Sequence, residues 1–536
     1  MQVNRGTVWH TYTTQSPEYQ DAEKFASDLI GTGLFLAILT PDNTFKYLID
    51  STSASIKLSM EFENNDNAVT VKGGGNVQET DTCSLTKLSF LNCINIRLSE
   101  KKLFHTTSNK YSENIICCKK PILIKNDERE FLLLPIVRLY RNGIAHITFI
   151  DMIERDEELT PFINEILQLP HKINHSITTS LEFARLSLLL DYSGMSFLNR
   201  VKINRATKES LAILSDNAES FEINDDKITG RYVNYTDLLK IKHGLSDISR
   251  YLIAITFNVV KKKGVKDFIF GQNQSDFYNF WQGKPSVYIF EHENQGLSAL
   301  DNYKKNRELI YSLLGKSHFL ANAKYTRDYI DHRAFDDFNF FSEQGIALTI
   351  LSRGVGQEKL TGTYTEQNLM WDNQLKSELR EFISFFYESK TNKIENERTH
   401  LGLAKTQEDI IKFEEWLRIF SRKYGEIQEF SLNTLKAKDI KKSRHNIIEM
   451  IRAKMLVIKL TDAEINERIN RKITMAFGLI ASTSLSPFII KPLSNTLGIN
   501  ELIKKYGFKN YEDAIYFVFS LIIVWLIIKT MNLKIK

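Results

Sequence analysis

Few residues in this chain have the types and spacing that chemistry needs. It has no GxxxxGK[ST] phosphate loop, no GxSxG nucleophile elbow and no HExxH zinc motif. No catalytic residue is therefore assigned, and the chain does not read as an enzyme. Gly73-Gly74-Gly75 follows a strand-like run, but no Lys-Ser/Thr comes after it, so it reads as a turn. His171 and His175 stand four apart, the helical spacing of metal ligands; with no third ligand in sight they read as a solvated face. Asp331-His332 with Asp336-Asp337 is an acidic cluster with one histidine, the makings of a metal or hydrolytic centre. Ser352-Arg353-Gly354-Val355-Gly356 follows the apolar run Ile346 to Leu351. Its backbone N–H groups and Arg353 suit an anion, which makes Arg353 the candidate ligand-binding residue.

A second set lies near the C-terminus. Asn466, Asn470, Thr474, Phe477, Ala481 and Ser484 fall within ~80° of one another at about 100° per residue. Amides and hydroxyls beside one aromatic ring suit a hydrated pore with an apolar constriction. The same groups would also serve as hydrogen bonds between helices, and both readings stand. An apolar stripe of Ile448, Ile451, Met455, Ile458, Ile465 and Ile469 steps alternately by three and four, with Asp462 in the gap. In an oligomer Asp462 is either an axial carboxylate ring or a polar residue that sets coiled-coil register.

The elements that would position these residues include two uncharged apolar runs, Ile473 to Ile490 and Ala514 to Ile528. A spanning helix needs ~20 apolar residues, and Thr530 to Leu533 extends the second run past Lys529. The expectation is a transmembrane hairpin. The first span, rich in Ser and Thr, would be inner, and the aliphatic second span would be outer. Arg468, Arg471 and Lys472 before the first run, and Lys529, Lys534 and Lys536 after the second, place both termini in the cytosol. From Ser431 onward there are 18 Lys+Arg against 8 Asp+Glu, inside a chain of net charge +5. A membrane surface explains that excess without direct nucleic-acid binding. Met1 to Gln15 has no apolar h-region, so no secretory signal is expected. Cys83, Cys93, Cys117 and Cys118 form no CxxC pair. The localisation expected is the inner cell membrane.

Upstream, 536 residues at 43% apolar and 25% charged are a globular composition. Gly33 to Leu39, Phe45 to Asp50, Ile56 to Phe62 and Ala68 to Lys72 read as strands. Asn142-Gly143 between Phe131 to Arg141 and Ile144 to Asp151 is a hairpin signal, and Pro135 suggests an edge or a bulge. Thr160-Pro161 opens a helical stretch that continues through Phe183 to Leu190. Further helices are expected at Asp247 to Val260, Leu300 to Leu314 and Glu366 to Glu395, and a strand at Ser286 to His292. Thr406 to Ile490 reads as helix with one break near Gly425, and Ser431 to Ile490 would run unbroken for roughly 90 Å at ~1.5 Å per residue. The division is 1–155 mainly strand, 156–400 mixed, 401–472 a helical stalk and 473–536 the membrane hairpin. The fold class expected is an α+β cytosolic domain, then a long helical stalk, then a two-span α-helical hairpin.

A long helix leading into one span, a short outer loop, a second span and a basic tail together resemble the CorA family of divalent-cation channels. Gly498-Ile499-Asn500, in TLGINELIKKYGF, stands where that family carries Gly-Met-Asn, and is similar to the variant of its zinc-transporting branch. The resemblance implies that Gly498 and Asn500, with Ile499 between them, form an outer mouth for a hydrated divalent cation, and that the chain is a homo-oligomer, typically a pentamer, in membrane lipid. The loop departs from the pattern, since Lys504, Lys505 and Lys509 outweigh its acids. The enlarged cytosolic part is similar to CorA-like membrane effectors of type III CRISPR systems, which implies a nucleotide second messenger as gating ligand in antiviral defence. Three functions stay open here: a ligand-gated ion channel, a constitutive Mg/Zn/Co transporter, and a membrane-anchored enzyme.

Overall fold

The computed structural model describes residues 2–49, 52–62, 69–74, 84–103, 111–126, 129–158, 176–193, 219–223, 226–234, 244–260, 283–294, 296–315, 328–343, 345–352, 365–421 and 425–485, together with 491–496, 513–520 and isolated positions elsewhere. In chain order the elements begin with β1 (Gln2–Gln15), α1 (Ala22–Ile30), β2 (Phe35–Leu39), β3 (Thr44–Ile49), β4 (Thr52–Phe62), β5 (Val69–Gly74) and α2 (Ser84–Leu103). Next come β6 (Asn114–Lys119), β7 (Ile122–Asn126), β8 (Arg129–Tyr140), β9 (Ile144–Asp151), β10 (Arg155–Glu158), β11 (Ser176–Ser180) and α3 (Leu181–Ser193). Then follow β12 (Glu219–Ile223), β13 (Asp226–Asn234), α4 (Leu245–Val260), β14 (Lys284–His292), α5 (Ala299–Lys305), α6 (Arg307–Gly315), β15 (Phe338–Ser342) and β16 (Ala347–Leu351). The chain closes with α7 (Glu366–Asn396), α8 (His400–Ser421), α9 (Gly425–Lys436), α10 (Lys438–Leu485) and α11 (Lys491–Thr496).

The chain divides into two units. One is Met1–Asn392 with Glu408–Ile447; the other is Lys393–Gln407 with Ile448–Lys536. Helices α7, α8 and α10 each contribute residues to both. The first unit is built on one large mixed sheet of order β15-β16-β14-β1-β9-β8-β6-β2-β3-β4-β5, in which β14 and β16 run parallel.

Side chains alternate across a strand, and here the two faces differ in chemistry. From β1, Val8 and Tyr12 enter an apolar core with Ala145, Ile147 and Phe149 of β9 and Val287 and Ile289 of β14. Helices α1, α3, α4 and α6 close that core with Phe25, Phe183, Leu252 and Ile310. The opposite face carries Thr11, Thr13, Arg138, His146, Thr148 and Lys284, all buried. Helices α2, α7, α8 and α9 supply that side: Trp371 lies on Trp9 at 4.8 Å, Phe382 on Tyr140 at 5.0 Å and Phe430 on Phe340 at 6.2 Å.

The expected hairpin is present, with Gly143 at φ 81° between β8 and β9. Pro135 is not at an edge. It pairs with Phe149 on one side. On the other, β8 pairs with β7 up to Leu133 and with β6 from Ile136. A residue with no N–H fits the gap where one neighbouring strand hands over to the next. The Leu300 to Leu314 helix is split at Asn306, the C-cap of α5. Helix α8 ends at Ser421 and α9 opens at Gly425, with 422–424 outside the described residues; α9 and α10 are interrupted at Ala437, so Ser431 to Ile490 is not one helix. The Thr160-Pro161 start lies outside the described residues.

The membrane hairpin is corrected. Among the described residues no helix is long and apolar enough to cross a membrane. The apolar end of α10, Ile473 to Leu485, covers about 20 Å at ~1.5 Å per residue, against a hydrocarbon core of ~30 Å. It also holds Thr474, Ser482, Thr483 and Ser484. Much of Ala514 to Ile528 lies outside the described residues. The CorA-like fold class, the transmembrane and channel designations, and the two-span inner-membrane localisation all depended on that hairpin and are withdrawn with it.

Candidate functional site

Helix α7 reads MWDNQLKSELREF in its first half, and most of its polar residues are buried. Asn373, Gln374, Ser377, Glu378 and Glu381 are all under 5% exposed. Buried polar groups must be hydrogen-bonded to be tolerated, and the sheet's polar face supplies the partners. Thr148 Oγ1 donates to Glu378 Oε1 at 3.0 Å, and Gln374 Nε2 donates to the same oxygen at 2.6 Å and to Thr11 Oγ1 at 2.8 Å. Tyr288 Oη donates to Gln374 Oε1 at 3.0 Å, and Asn373 Nδ2 to Thr349 Oγ1 at 3.2 Å. Lys284 Nζ meets Glu381 Oε1 at 3.1 Å.

Two arginines and two glutamates hold the centre. Arg138, fully buried in β8, pairs with Glu378 and stands 3.8 Å from Glu100 of α2. Glu100 also takes Arg97 at 2.8 Å and accepts from Asn114 Nδ2 at 2.5 Å. The four charges cancel, as buried ions must. Burial, reinforced by Arg138 and Lys284, holds His146 well below the ordinary histidine pKa, so it is neutral, with Nδ1 2.9 Å from Thr13 Oγ1. Burial also lifts the Tyr140 phenol to about 12.

Next to this network is a cavity of about 30 Å³ that opens to solvent. Glu100, Glu378 and His146 line it together with Tyr111, Tyr140, Phe382 and Trp416. The rings form a continuous wall: Phe382 is 6.3 Å from Trp416, which is 5.6 Å from Tyr111. Tyr111 is held by donating to Asp409 Oδ1 at 2.8 Å. Carboxylate acceptors at the base and aromatic faces at the side suit a small planar group that carries N–H donors.

The sequence candidates fare differently. Arg353, His171, His175, Ile499, Asn500 and Gly75 lie outside the described residues, and Gly73 and Gly74 end β5. The Asp331–Asp337 cluster is structural. Asp331 accepts from Asn339 Nδ2 at 2.8 Å and from the Phe340 N–H at 3.0 Å, Arg333 clamps Asp337 at 2.6 Å, and His332 sits edge-on to Phe430. Burial, with Arg380, Lys284 and Lys376, takes His332 down to about 4. Among the described residues no group of three or more His, Cys, Asp or Glu could hold a metal ion. Asp462 is exposed, 3.9 Å from His400 Nε2. Asn466, Asn470, Thr474, Phe477 and Ala481 are exposed along α10, Ser484 shares that helix, and Gly498 has φ 70°. The candidate pore residues are thus all on one helix, α10.

Sequence reasoning missed Glu100, Arg138, His146 and Glu378. The available signal was an arginine and a histidine inside the two apolar strands of the hairpin, where a charge needs a buried partner. Compared with protein-family models, curated proteins and solved structures, the chain matches none.

Proposed function

We propose that this chain is a ligand-responsive sensor. Its aromatic, carboxylate-based cavity takes a planar amine-bearing ring of nucleobase type, and a nucleotide messenger is the first ligand class to try. The observation that carries the reading is the cavity's wall. Trp416 and Phe382 come from α8 and α7, and α8 also supplies residues to the second unit. A ligand that fits one arrangement of these helices better than another shifts the population by that difference in affinity. Base–aromatic stacking is worth ~1–3 kcal/mol by alanine substitution.

The test is calorimetric titration of the full chain with adenosine, AMP and cyclic oligoadenylates, on wild type and Trp416→Ala. Saturable binding that weakens roughly 5- to 160-fold in the variant is expected. No binding at millimolar ligand, or binding indifferent to Trp416, overturns the proposal.

A further inference from the structure

Three cysteines lie among the described residues, all buried. Cys93 on α2 and Cys118 on β6 place their sulfurs 3.6 Å apart. Cys117, next in the chain to Cys118, points the other way, into the apolar core with Ile115 and Phe35. Among the described cysteines, strand alternation therefore leaves Cys93 a single partner and rules out a bond between the two adjacent ones. We propose that Cys93 and Cys118 are a reversible disulfide site that locks α2 onto β6.

A disulfide needs its sulfurs at ~2.05 Å, so closure takes an approach of about 1.5 Å from van der Waals contact. Neighbouring contacts already hold the two elements in register. Arg97 Nη2 donates to the Asn114 carbonyl at 3.1 Å, Asn114 Nδ2 donates to Glu100 at 2.5 Å, and Cys118 Sγ lies 3.7 Å from the Ser89 carbonyl. Both sulfurs are shut away from solvent, and burial holds the Cys93 thiol well above its ordinary pKa. Exchange therefore waits for α2 to lift from β6. The oxidant is a small disulfide such as oxidised glutathione. One exposed thiolate attacks it, forming a mixed disulfide and releasing one glutathione thiolate. The second cysteine, as thiolate, then displaces the other glutathione. Two electrons pass to glutathione, two protons pass to its thiols, and the protein loses two hydrogens. Glu100 is two turns along α2 from Cys93, and Asn114 is on the same face of β6 as Cys118. The lock thus fixes one side of the cavity, a consequence that matters to function only if the sensor reading holds. The bond itself does not depend on that reading.

The experiment equilibrates the full chain in glutathione buffers of graded redox ratio, including a sample refolded from urea so that α2 has opened in every molecule. The protein is alkylated, digested without reduction and read by mass spectrometry. The expected product is a Cys93–Cys118 peptide pair two hydrogens lighter, kept in Cys117→Ser and lost in Cys93→Ser and Cys118→Ser. Amide exchange in α2 should slow at least 10-fold in the oxidised protein. Glutathione adducts without the cross-link, free thiols throughout the refolded sample, or a pair that uses Cys83 or Cys117 overturn the proposal. Nucleotide titration of the same oxidised sample separates failure of the lock from failure of the sensor.

Discussion

Replacing Glu378 by alanine should be among the most damaging single changes in the sheet domain. The carboxylate is buried, pairs with a fully buried Arg138, and accepts from Thr148 at 3.0 Å and Gln374 at 2.6 Å. Removing one partner of a buried ion pair costs ~3–5 kcal/mol, because the other charge is left unpaired. Glu100 remains 3.8 Å from Arg138 and takes over part of the charge. The loss for Glu378→Ala should therefore sit at the low end, ~3 kcal/mol, and Glu100→Ala with Glu378→Ala should reach ~5 kcal/mol or more. Glu378→Gln keeps an oxygen for the two donors and should cost ~1–3 kcal/mol. Arg138→Met with Glu378→Leu removes both charges and should regain most of the loss. Urea unfolding followed by tryptophan emission reads the domain directly, since Trp9 and Trp371 are buried against each other. A Glu378→Ala protein within 1 kcal/mol of wild type, or an apolar double variant no better than the single one, would refute this account of the seam.

Other consequences follow from single positions. Gly143→Ala forces a Cβ into the left-handed region, 3.2 Å from the Ser16 carbonyl, and should cost ~1–2 kcal/mol in the same unfolding assay. His332 is held down to about 4 by burial, so it is neutral when folded, while the unfolded chain takes up a proton near pH ~6.5. Its contribution is present above that pH and is lost as pH falls toward 4; His332→Phe should flatten this part of the stability curve. Asp151, raised by burial to about 6, acts in the opposite sense. Its contribution is full below about pH 4 and is lost as pH rises through 6, and Asp151→Asn should remove that slope.

Local order in the sequence translated well into elements. The strands expected at Phe45 to Asp50 and Ser286 to His292 appear as β3 and β14, and Glu366 to Glu395 as α7, each within a few residues. These signals are short-range: alternation, a turn residue, a stretch free of proline. The Asn142-Gly143 turn worked for the same reason. The stalk shows the limit. The three-and-four stripe begins only at Ile448, and upstream of it α9 ends at Lys436 and α10 starts at Lys438. Position 437 is alanine, neither glycine nor proline, so no breaker residue marked the interruption.

The seam was hidden for a different reason, and that reason bears on its use. Arg138 and Glu378 are 240 positions apart, and neither alone distinguishes a core ion from a surface one. Helix α7 carries polar residues on the side it buries, so its apolar stripe is weak and the helix looks solvated from sequence. A sheet face built of Thr, His, Arg and Lys then appears to be the solvent side of a half-buried sheet. The two surfaces account for each other only when they meet, with Thr11, Thr148, Tyr288 and Thr349 of the sheet bonded to Asn373, Gln374 and Glu378 of the helix. Such an interface adds to the apolar area it removes from water a strict demand on geometry, since each unmade bond costs ~1–3 kcal/mol. It therefore has few intermediate arrangements, which is the property that a helix reporting the state of a neighbouring cavity requires.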